Sequence, residues 1–175
     1  MNFETLLRHS PHADLIRLAE HCQSLAGDRA MPHREDFRPG DVRWMLGYIY
    51  LVDVLDDGAD YRIRLFGTFW QTIFGADIAG QRLSELEAVG VLTDLRRDYD
   101  VVAETGEPLF HPGKLVWPGK ESIHYERLLI PFSREDGRIS LILGAAHCDK
   151  AVEDLILYQG LGLPRLVLDE QIERT

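Results

Sequence analysis

The chain has 175 residues, 45% hydrophobic and 27% charged, which is enough for one folded domain with extensions. Its 29 acidic and 19 basic residues give a formal net charge of −10, and an acidic field of this kind repels phosphate backbones and argues against a nucleic-acid partner. We see no apolar run long enough for a membrane span and no secretory signal, and two lone cysteines suit a reducing compartment, so we expect a cytoplasmic protein.

An amphipathic helix is predicted over residues 11–26. Ser10-Pro11 is a start signal, because serine caps helices and proline suits the first helical position, and Gly27 is a stop signal. Apolar residues recur between them at helical spacing, namely Leu15, Ile16, Leu18, Ala19, Cys22 and Leu25. An irregular connection over residues 28–40 follows.

Two strands are predicted next, after a short helical turn over residues 41–46. Residues 48–55 are apolar on both faces, so each face needs a cover. The helix 11–26 is the expected cover for one face, from its own chain or from a partner's. After a turn at 56–58, residues 61–66 alternate, with Tyr61, Ile63 and Leu65 opposite Arg62 and Arg64.

A helical block separates these two strands from the rest of the predicted sheet. Residues 69–74 form a short aromatic helix, and residues 84–86 form a turn or a short helix. Residues 89–105 are predicted as the second long helix, which Gly106 ends.

Three further strands complete the pattern. Residues 109–117 are interrupted by Pro112-Gly113, which predicts a bulge or an edge position. Residues 122–132 and 139–148 follow, joined by a turn with an Asp136-Gly137 hairpin signal. A last helix is predicted at residues 152–158.

This order of elements predicts an α+β fold with a five-stranded antiparallel sheet, flanking helices and an N-terminal amphipathic helix. We divide the chain into the helix at 1–29, a central domain at 30–148 and a C-terminal extension at 149–175.

Five segments of the chain resemble a known family, namely residues 31–39, 62–68, 74–80, 105–108 and 125–132. In this order they are similar to a bacterial single-domain PAS-like family, formerly catalogued as a domain of unknown function and common in alphaproteobacteria. The resemblance covers residues 30–147. It implies a PAS fold and a sensory or regulatory role, and it supplies neither shared catalytic residues nor a ligand.

The resemblance also implies where a ligand would bind, in a cavity between the sheet and the helical block. Nine residues are predicted to line that cavity: Tyr50, Leu65, Trp70, Ile73, Phe74, Leu95, Tyr99, Tyr125 and Leu143. Ligand pockets are mainly apolar with a few polar tips, which this set fits. The alternative is that the same side chains fill a hydrophobic core.

Two arginines are predicted within otherwise apolar strands. Buried guanidinium groups need partners, and Asp53 and Glu126 are the predicted partners of Arg64 and Arg127. We favour structural ion pairs over a clamp for an anionic ligand.

No cofactor follows from the sequence, and its identity stays unknown. No Cys/His cluster has zinc spacing, so no metal site is predicted, although haem needs only one axial histidine. Flavin photochemistry through a cysteine is disfavoured, because no cysteine lies between Cys22 and Cys148. We find no nucleophile-elbow, phosphate-loop or kinase motif, and therefore predict that the protein is not an enzyme.

We expect a stand-alone PAS-like module without an output domain of its own, which binds a small ligand, a regulatory partner protein or both. A homodimer is predicted through the helix 11–26, and the outer sheet face (Ile49, Leu51, Phe66) is a second candidate surface. The alternatives are a cystatin-like α+β enzyme acting on a small molecule and a ligand-free adaptor for protein interactions.

Overall fold

The computed structural model describes residues 12–88, 95–117 and 122–149 and the backbone of residues 165–168. Its helices are α1 (Ala13–Ala26), α2 (Thr68–Phe74), α3 (Leu83–Ala88) and α4 (Arg96–Thr105). Its strands are β1 (Ile49–Leu55), β2 (Asp60–Phe66), β3 (Leu109–Val116), β4 (Ile123–Ser133), β5 (Ile139–Cys148) and β6 (Arg165–Leu168). Short 3-10 turns lie at Arg34–Asp36, Pro39–Met45 and Asp56–Gly58.

The strands form one antiparallel sheet in the order β2-β1-β5-β4-β3-β6. The predicted five-stranded sheet with flanking helices is confirmed. A sixth strand adds to it, because the backbone of residues 165–168 pairs with residues 113–116 of β3. This strand comes from the segment that we predicted as an extension.

Helix α1 ends where the sequence predicts and begins differently. Gly27 closes the helix with a left-handed φ of 57°, a conformation that costs glycine little. His12 is the N-cap, and its Nδ1 accepts a hydrogen bond from the Asp14 N–H at 3.3 Å. Ser10-Pro11 lies outside the described residues, as do the first part of the predicted helix 89–105 and the predicted helix 152–158.

The face of the sheet under α1 is covered by the chain's own helix. We call it the outer face, and its buried apolar cluster includes Leu15, Leu18, Ala19, Cys22, Ile49, Leu51, Leu128, Ile130, Phe132, Leu141, Leu143 and Ala145. The four members from α1 are at most 2% exposed. The predicted dimer surface on this helix is therefore wrong in its residues, because four of the five that we assigned to it already pack on the sheet.

The second surface that we predicted for a partner is not exposed either. Ile49 and Leu51 are buried beneath α1, while Phe66 lies on the opposite face, which we call the inner face. The inner face packs against α2, α3 and α4.

A bulge in β2 explains why Phe66 changes face. Leu51 lies opposite Leu65 and Val52 opposite Ile63, so Arg64 is an extra residue without its own partner in the ladder. Side chains alternate between faces with period two, and one extra residue reverses every position beyond it. Ile63 and Phe66 therefore share the inner face, and Leu65 lies on the outer face.

The bulge that we predicted at Pro112-Gly113 is absent from the described ladder. The pairing of β3 with β4 runs without a shift from Leu109 to Leu115. Pro112 lies just before the residues of β3 that pair with β6, so at Pro112 the strand has β4 as its only partner among the described strands. This edge position tolerates a residue without an N–H.

Candidate functional site

A small cavity lies between the inner face of the sheet and the helical block. Its volume is about 20 Å³, enough for a single water molecule. Strands β1, β2 and β4 supply one wall, and α2 with the start of α4 supplies the other. The nine lining residues are Tyr50, Ile63, Phe66, Trp70, Phe74, Leu95, Tyr99, Tyr125 and Arg127.

Six of the nine residues predicted to line a cavity do line it: Tyr50, Trp70, Phe74, Leu95, Tyr99 and Tyr125. Leu65 and Leu143 do not, because both lie on the outer face. On β5 the neighbouring Ile142 faces inward and Leu143 faces α1, so our assignment of Leu143 to the cavity is wrong. Ile73 is buried in the inner core without lining the cavity.

Aromatic packing fixes the shape of the cavity. The rings of Tyr50 and Trp70 meet edge to face with centroids 5.6 Å apart, and Trp70 Nε1 donates a hydrogen bond to the Tyr48 carbonyl at 2.9 Å. Tyr50 pairs across the sheet with Gly144, and its ring occupies the space that a Cβ there would need. The absence of a side chain at Gly144 therefore lets the Tyr50 ring lie against the sheet.

A buried group of three charged or titratable side chains lies beside the cavity. Arg127 on β4 and Asp98 on α4 are each 2% exposed, and Arg127 Nη2 forms an ion pair with Asp98 Oδ2. The same carboxylate oxygen lies 3.0 Å from Nδ1 of His111 on β3. The group thus links the helical block to two strands of the sheet.

Neither predicted partner, Asp53 or Glu126, pairs with Arg127. Neighbouring residues on a strand point to opposite faces, so Glu126 cannot reach the same side as Arg127. Glu126 instead accepts a hydrogen bond from the His12 backbone N–H at 2.7 Å, on the side of α1.

Burial decides the protonation of the cavity's polar groups. It raises the pKa of Tyr50, against the opposing effect of the positive charge on Arg127, and it raises the pKa of Tyr99 well above the ordinary value. Both hydroxyls are therefore protonated at neutral pH and can donate hydrogen bonds. Burial also lowers the pKa of Arg127, although an arginine stays charged at neutral pH.

The guanidinium of Arg127 is not fully satisfied by protein groups. Its Nε and Nη1 have no hydrogen-bond partner within the part of the chain that the structure describes. The neighbouring Tyr50 hydroxyl affects the pKa of Arg127 as a hydrogen-bonding group, but the pair falls outside the distance and angle of a well-formed hydrogen bond.

Asp53 holds a separate ion-pair cluster at the other end of the sheet. Its carboxylate lies 3.4 Å from Arg64 Nη1, 3.4 Å from Arg62 Nη2 and 3.1 Å from Arg34 Nη2. The structure thus places Asp53 beside Arg64, as the sequence predicts, and adds two arginines. These contacts join β1, β2 and the turn before β1.

Asp60 fastens the start of β2 to the helical block. It accepts hydrogen bonds from the Ser84 hydroxyl at 2.8 Å and from Arg96 Nη2 at 3.2 Å. Burial would raise the pKa of Asp60, but these bonds and the backbone N–H groups of Tyr61 and Ser84 outweigh it and lower the pKa. We interpret this group as structural.

Metal binding, membrane insertion and thiol reactivity find no support among the described residues. No three His, Cys, Asp or Glu side chains among them come together as a metal site, and no described helix is long and apolar enough to cross a membrane. Cys22 and Cys148 are free and buried, and burial raises the pKa of each thiol to about 12. A thiol with so high a pKa is unreactive at neutral pH.

Asp98 and His111 are site residues that our sequence analysis missed. The signal for Asp98 is its spacing: it falls three residues after Leu95 and four before Val102, on the buried side of α4. A carboxylate on the apolar stripe of a helix indicates a buried positive partner, here Arg127.

A family model and two solved structures are similar to this chain. A family model described as a PAS domain matches residues 10–147. The PAS domain of Bordetella pertussis BvgS is similar in structure, with 20% identity, a TM-score of 0.44 and coverage of 82% of this chain and 93% of that one. An RNA-binding light-oxygen-voltage receptor is similar with 15% identity and a TM-score of 0.43; the match covers 85% of this chain and 39% of the receptor.

No curated protein matches the sequence. The family match spans 138 of the 175 residues and includes helix α1, the helical block and strands β1 to β5. The chain therefore belongs to the PAS domain family.

Proposed function

We propose that the protein is a sensory or regulatory module that binds a small ligand in the inner-face cavity. One observation carries the proposal: a cavity with mainly aromatic walls contains a buried arginine whose Nε and Nη1 make no well-aligned hydrogen bond with the described residues. Buried donors are nearly always paired in folded proteins, so a polar group belongs at this position.

The mechanism that we propose is differential binding. The start of α4 contributes Leu95 and Tyr99 to the cavity wall, and Asp98 on the same helix holds Arg127. A ligand that fits one position of α4 better than another shifts the population toward it. A partner protein that contacts α4 would then sense the shift, with a coupling set by the ligand's difference in affinity for the two positions.

A ligand-free adaptor is the second reading, and the small cavity favours it. A space of about 20 Å³ holds one water molecule, and a buried water could satisfy the guanidinium in its place. We favour no enzymatic reading, because the cavity offers an arginine and tyrosines with raised pKa values rather than an acid or base that titrates near neutral pH.

Native mass spectrometry of the freshly purified protein tests the proposal. We expect a small mass bound to the 20.0 kDa chain, lost on unfolding, and an absorbance spectrum of the same sample would reveal a chromophore. Ile63→Phe fills the cavity from β2 and should abolish the retained mass. A chain that carries no extra mass and binds no added small molecule would favour the adaptor.

A homodimer, a regulatory partner and a cytoplasmic location remain predictions. The two buried free thiols support a reducing compartment. Analytical ultracentrifugation across a concentration series measures self-association, and a monomer at the highest concentration would contradict a dimer.

A further inference from the structure

We propose that the cavity takes an uncharged ligand with a carbonyl-type oxygen at one end and an apolar, aromatic body. The oxygen would accept hydrogen bonds from Arg127, and the body would lie among the aromatic side chains of β2 and α2. This inference names the class of ligand and rests on the proposed function.

The first step concerns hydrogen-bond donors. A guanidinium has five N–H donors, and Asp98 contacts Nη2 of Arg127. The Nε and Nη1 donors form no well-aligned hydrogen bond with a described residue, although Arg127 is 2% exposed, lines the cavity and has the Tyr50 hydroxyl as a neighbour. An unmade hydrogen bond in a dry interior is costly, so this end of the cavity favours a ligand atom with lone pairs.

The second step concerns charge. Arg127 is the one charged residue among the nine described lining residues, and the Asp98 carboxylate balances it. An anionic ligand would add a negative charge next to Asp98 in a low-dielectric space, and a cationic ligand would face the guanidinium. An oxygen acceptor without net charge satisfies the donors and leaves the ion pair intact.

The third step concerns the rest of the wall. Beyond the polar end the lining is apolar and largely aromatic, formed by Ile63, Phe66, Trp70, Phe74 and Leu95. Tilted and edge-to-face ring contacts, such as Phe66 with Phe74 at 5.4 Å, are arrangements that an aromatic ligand ring can join.

The fourth step concerns access. Phe74 is partly exposed, whereas the other eight lining residues are buried, so the cavity meets the surface at Phe74. Phe74 is the last residue of α2, which Gly75 closes in a left-handed conformation. Because the enclosed space is about 20 Å³, room for one water molecule, a ligand ring must displace Phe74, and Phe74→Ala should make that room in advance.

Three matched probes test the inference in the full chain: acetophenone, ethylbenzene and benzoate. They share a phenyl ring and differ in the acceptor and the charge. Isothermal titration into the wild type and Phe74→Ala should show acetophenone binding roughly tenfold tighter than either of the others, the difference that one hydrogen bond makes. The carbonyl ¹³C resonance of labelled acetophenone should move downfield when the probe binds to the wild-type protein.

Variants assign the effect to Arg127. The double variant Arg127→Met/Asp98→Leu removes both charges at similar volume and should erase the preference for acetophenone over ethylbenzene. Arg64→Met, which removes an arginine from the Asp53 cluster instead, should keep it. The carbonyl shift in the wild type decides the question if the double variant does not fold.

The outcomes separate the inference from the proposed function. Equal binding of acetophenone and ethylbenzene, or tightest binding of benzoate, would overturn the uncharged-acceptor class while the cavity still binds ligands. Binding of none of the three, even by Phe74→Ala, would contradict both this inference and the cavity as a ligand site. An unshifted carbonyl resonance in a bound probe would overturn the role of Arg127.

Discussion

The two faces of the sheet are formed by the same strands but bury different kinds of side chain. The buried outer-face cluster consists of apolar side chains, mainly aliphatic, packed beneath α1. The inner face carries tyrosines, a tryptophan and a buried arginine–aspartate pair, and it encloses a cavity. An apolar, close-packed layer gains stability from burial alone, whereas a layer with buried charge is stable only while each charge keeps its partner.

This difference suggests that the outer face serves stability and that the inner face serves both stability and binding. The outer face holds the N-terminal helix in place, and the buried carboxylate on its side of β1, Asp53, contacts three arginines. The inner face tolerates a cavity and a guanidinium that the described residues do not fully pair, features that lower stability and that occur at functional sites. A mutation should therefore act on stability alone on the outer face, and on stability and binding together on the inner face.

The largest effect should come from breaking the buried ion pair. Arg127→Met leaves the Asp98 carboxylate buried without its guanidinium, and we expect the free energy of unfolding to fall by about 3–5 kcal/mol. Urea denaturation followed by circular dichroism measures the change. The same variant should lose any ligand that Arg127 holds.

The double variant Arg127→Met/Asp98→Leu is the control for this effect. It removes both charges, and we expect it to recover most of the lost stability because no charge remains unpaired. A single variant as stable as the wild type would show that the pair is solvated in solution, and the contrast between the two faces would fail.

A truncation on the outer face should cost less and leave binding unchanged. Leu18 is fully buried under the sheet, and Leu18→Ala creates a cavity worth about 2–5 kcal/mol of stability. Leu46→Ala is the matched control, since Leu46 is 37% exposed and its truncation should change stability by less than about 0.5 kcal/mol. Retained ligand mass in Leu18→Ala, at a temperature where it is folded, would support the division between the faces.

The sequence predicts the elements of this fold better than the walls of the cavity. Alternation along 61–66 is a local signal and identifies a strand, but the bulge at Arg64 arises from pairing with β1 and moves Leu65 to the other face. No pattern within β2 reports on the register of its partner. The wrong assignment of Leu143 on β5 has a related cause. Both faces of β5 are apolar, so alternation could not show whether Leu143 lies on the inner or the outer face.

Buried polar residues were harder still to predict. Asp98 lies among the charges of an amphipathic helix, and only its position relative to Tyr99 and Val102 distinguishes it from the solvated ones. Its pairing with Arg127 joins residues 29 positions apart along the chain. Contacts at that separation follow from the three-dimensional arrangement of helix and sheet, which a single sequence does not specify.

A smaller effect on the inner face should follow from adding one methyl group. Gly144→Ala places a Cβ where the Tyr50 ring now lies, and we expect a loss of about 1–3 kcal/mol because the ring must move. Thermal unfolding measures the loss, and Gly144→Ala/Tyr50→Val should recover part of it. Gly40→Ala is the matched control, because its Cβ would meet open space. Equal effects at the two glycines would contradict the close approach of Tyr50.

The smallest effect concerns a histidine pair at the margin of the outer face. The rings of His12, the N-cap of α1, and His147 on β5 are stacked with centroids 3.4 Å apart. Burial lowers the pKa of His147, and a positive charge on His12 would lower it further, whereas Glu126, Asp149 and Asp14 act in the opposite direction.

The sign of the pH dependence follows from the lowered pKa. The His147 side chain titrates near 6.5 in the unfolded chain and lower in the folded protein, so the folded protein binds fewer protons between the two values. The contribution to stability is complete above about pH 6.5 and is lost as the pH falls through the folded-state pKa. The difference in unfolding free energy between the wild type and His147→Asn should therefore shrink from about pH 7.5 to about pH 5.5, and comparing the two proteins at each pH cancels the titration of carboxylates elsewhere. A difference that stays constant or grows in acid would show that the stacked pair does not disfavour protonation of His147.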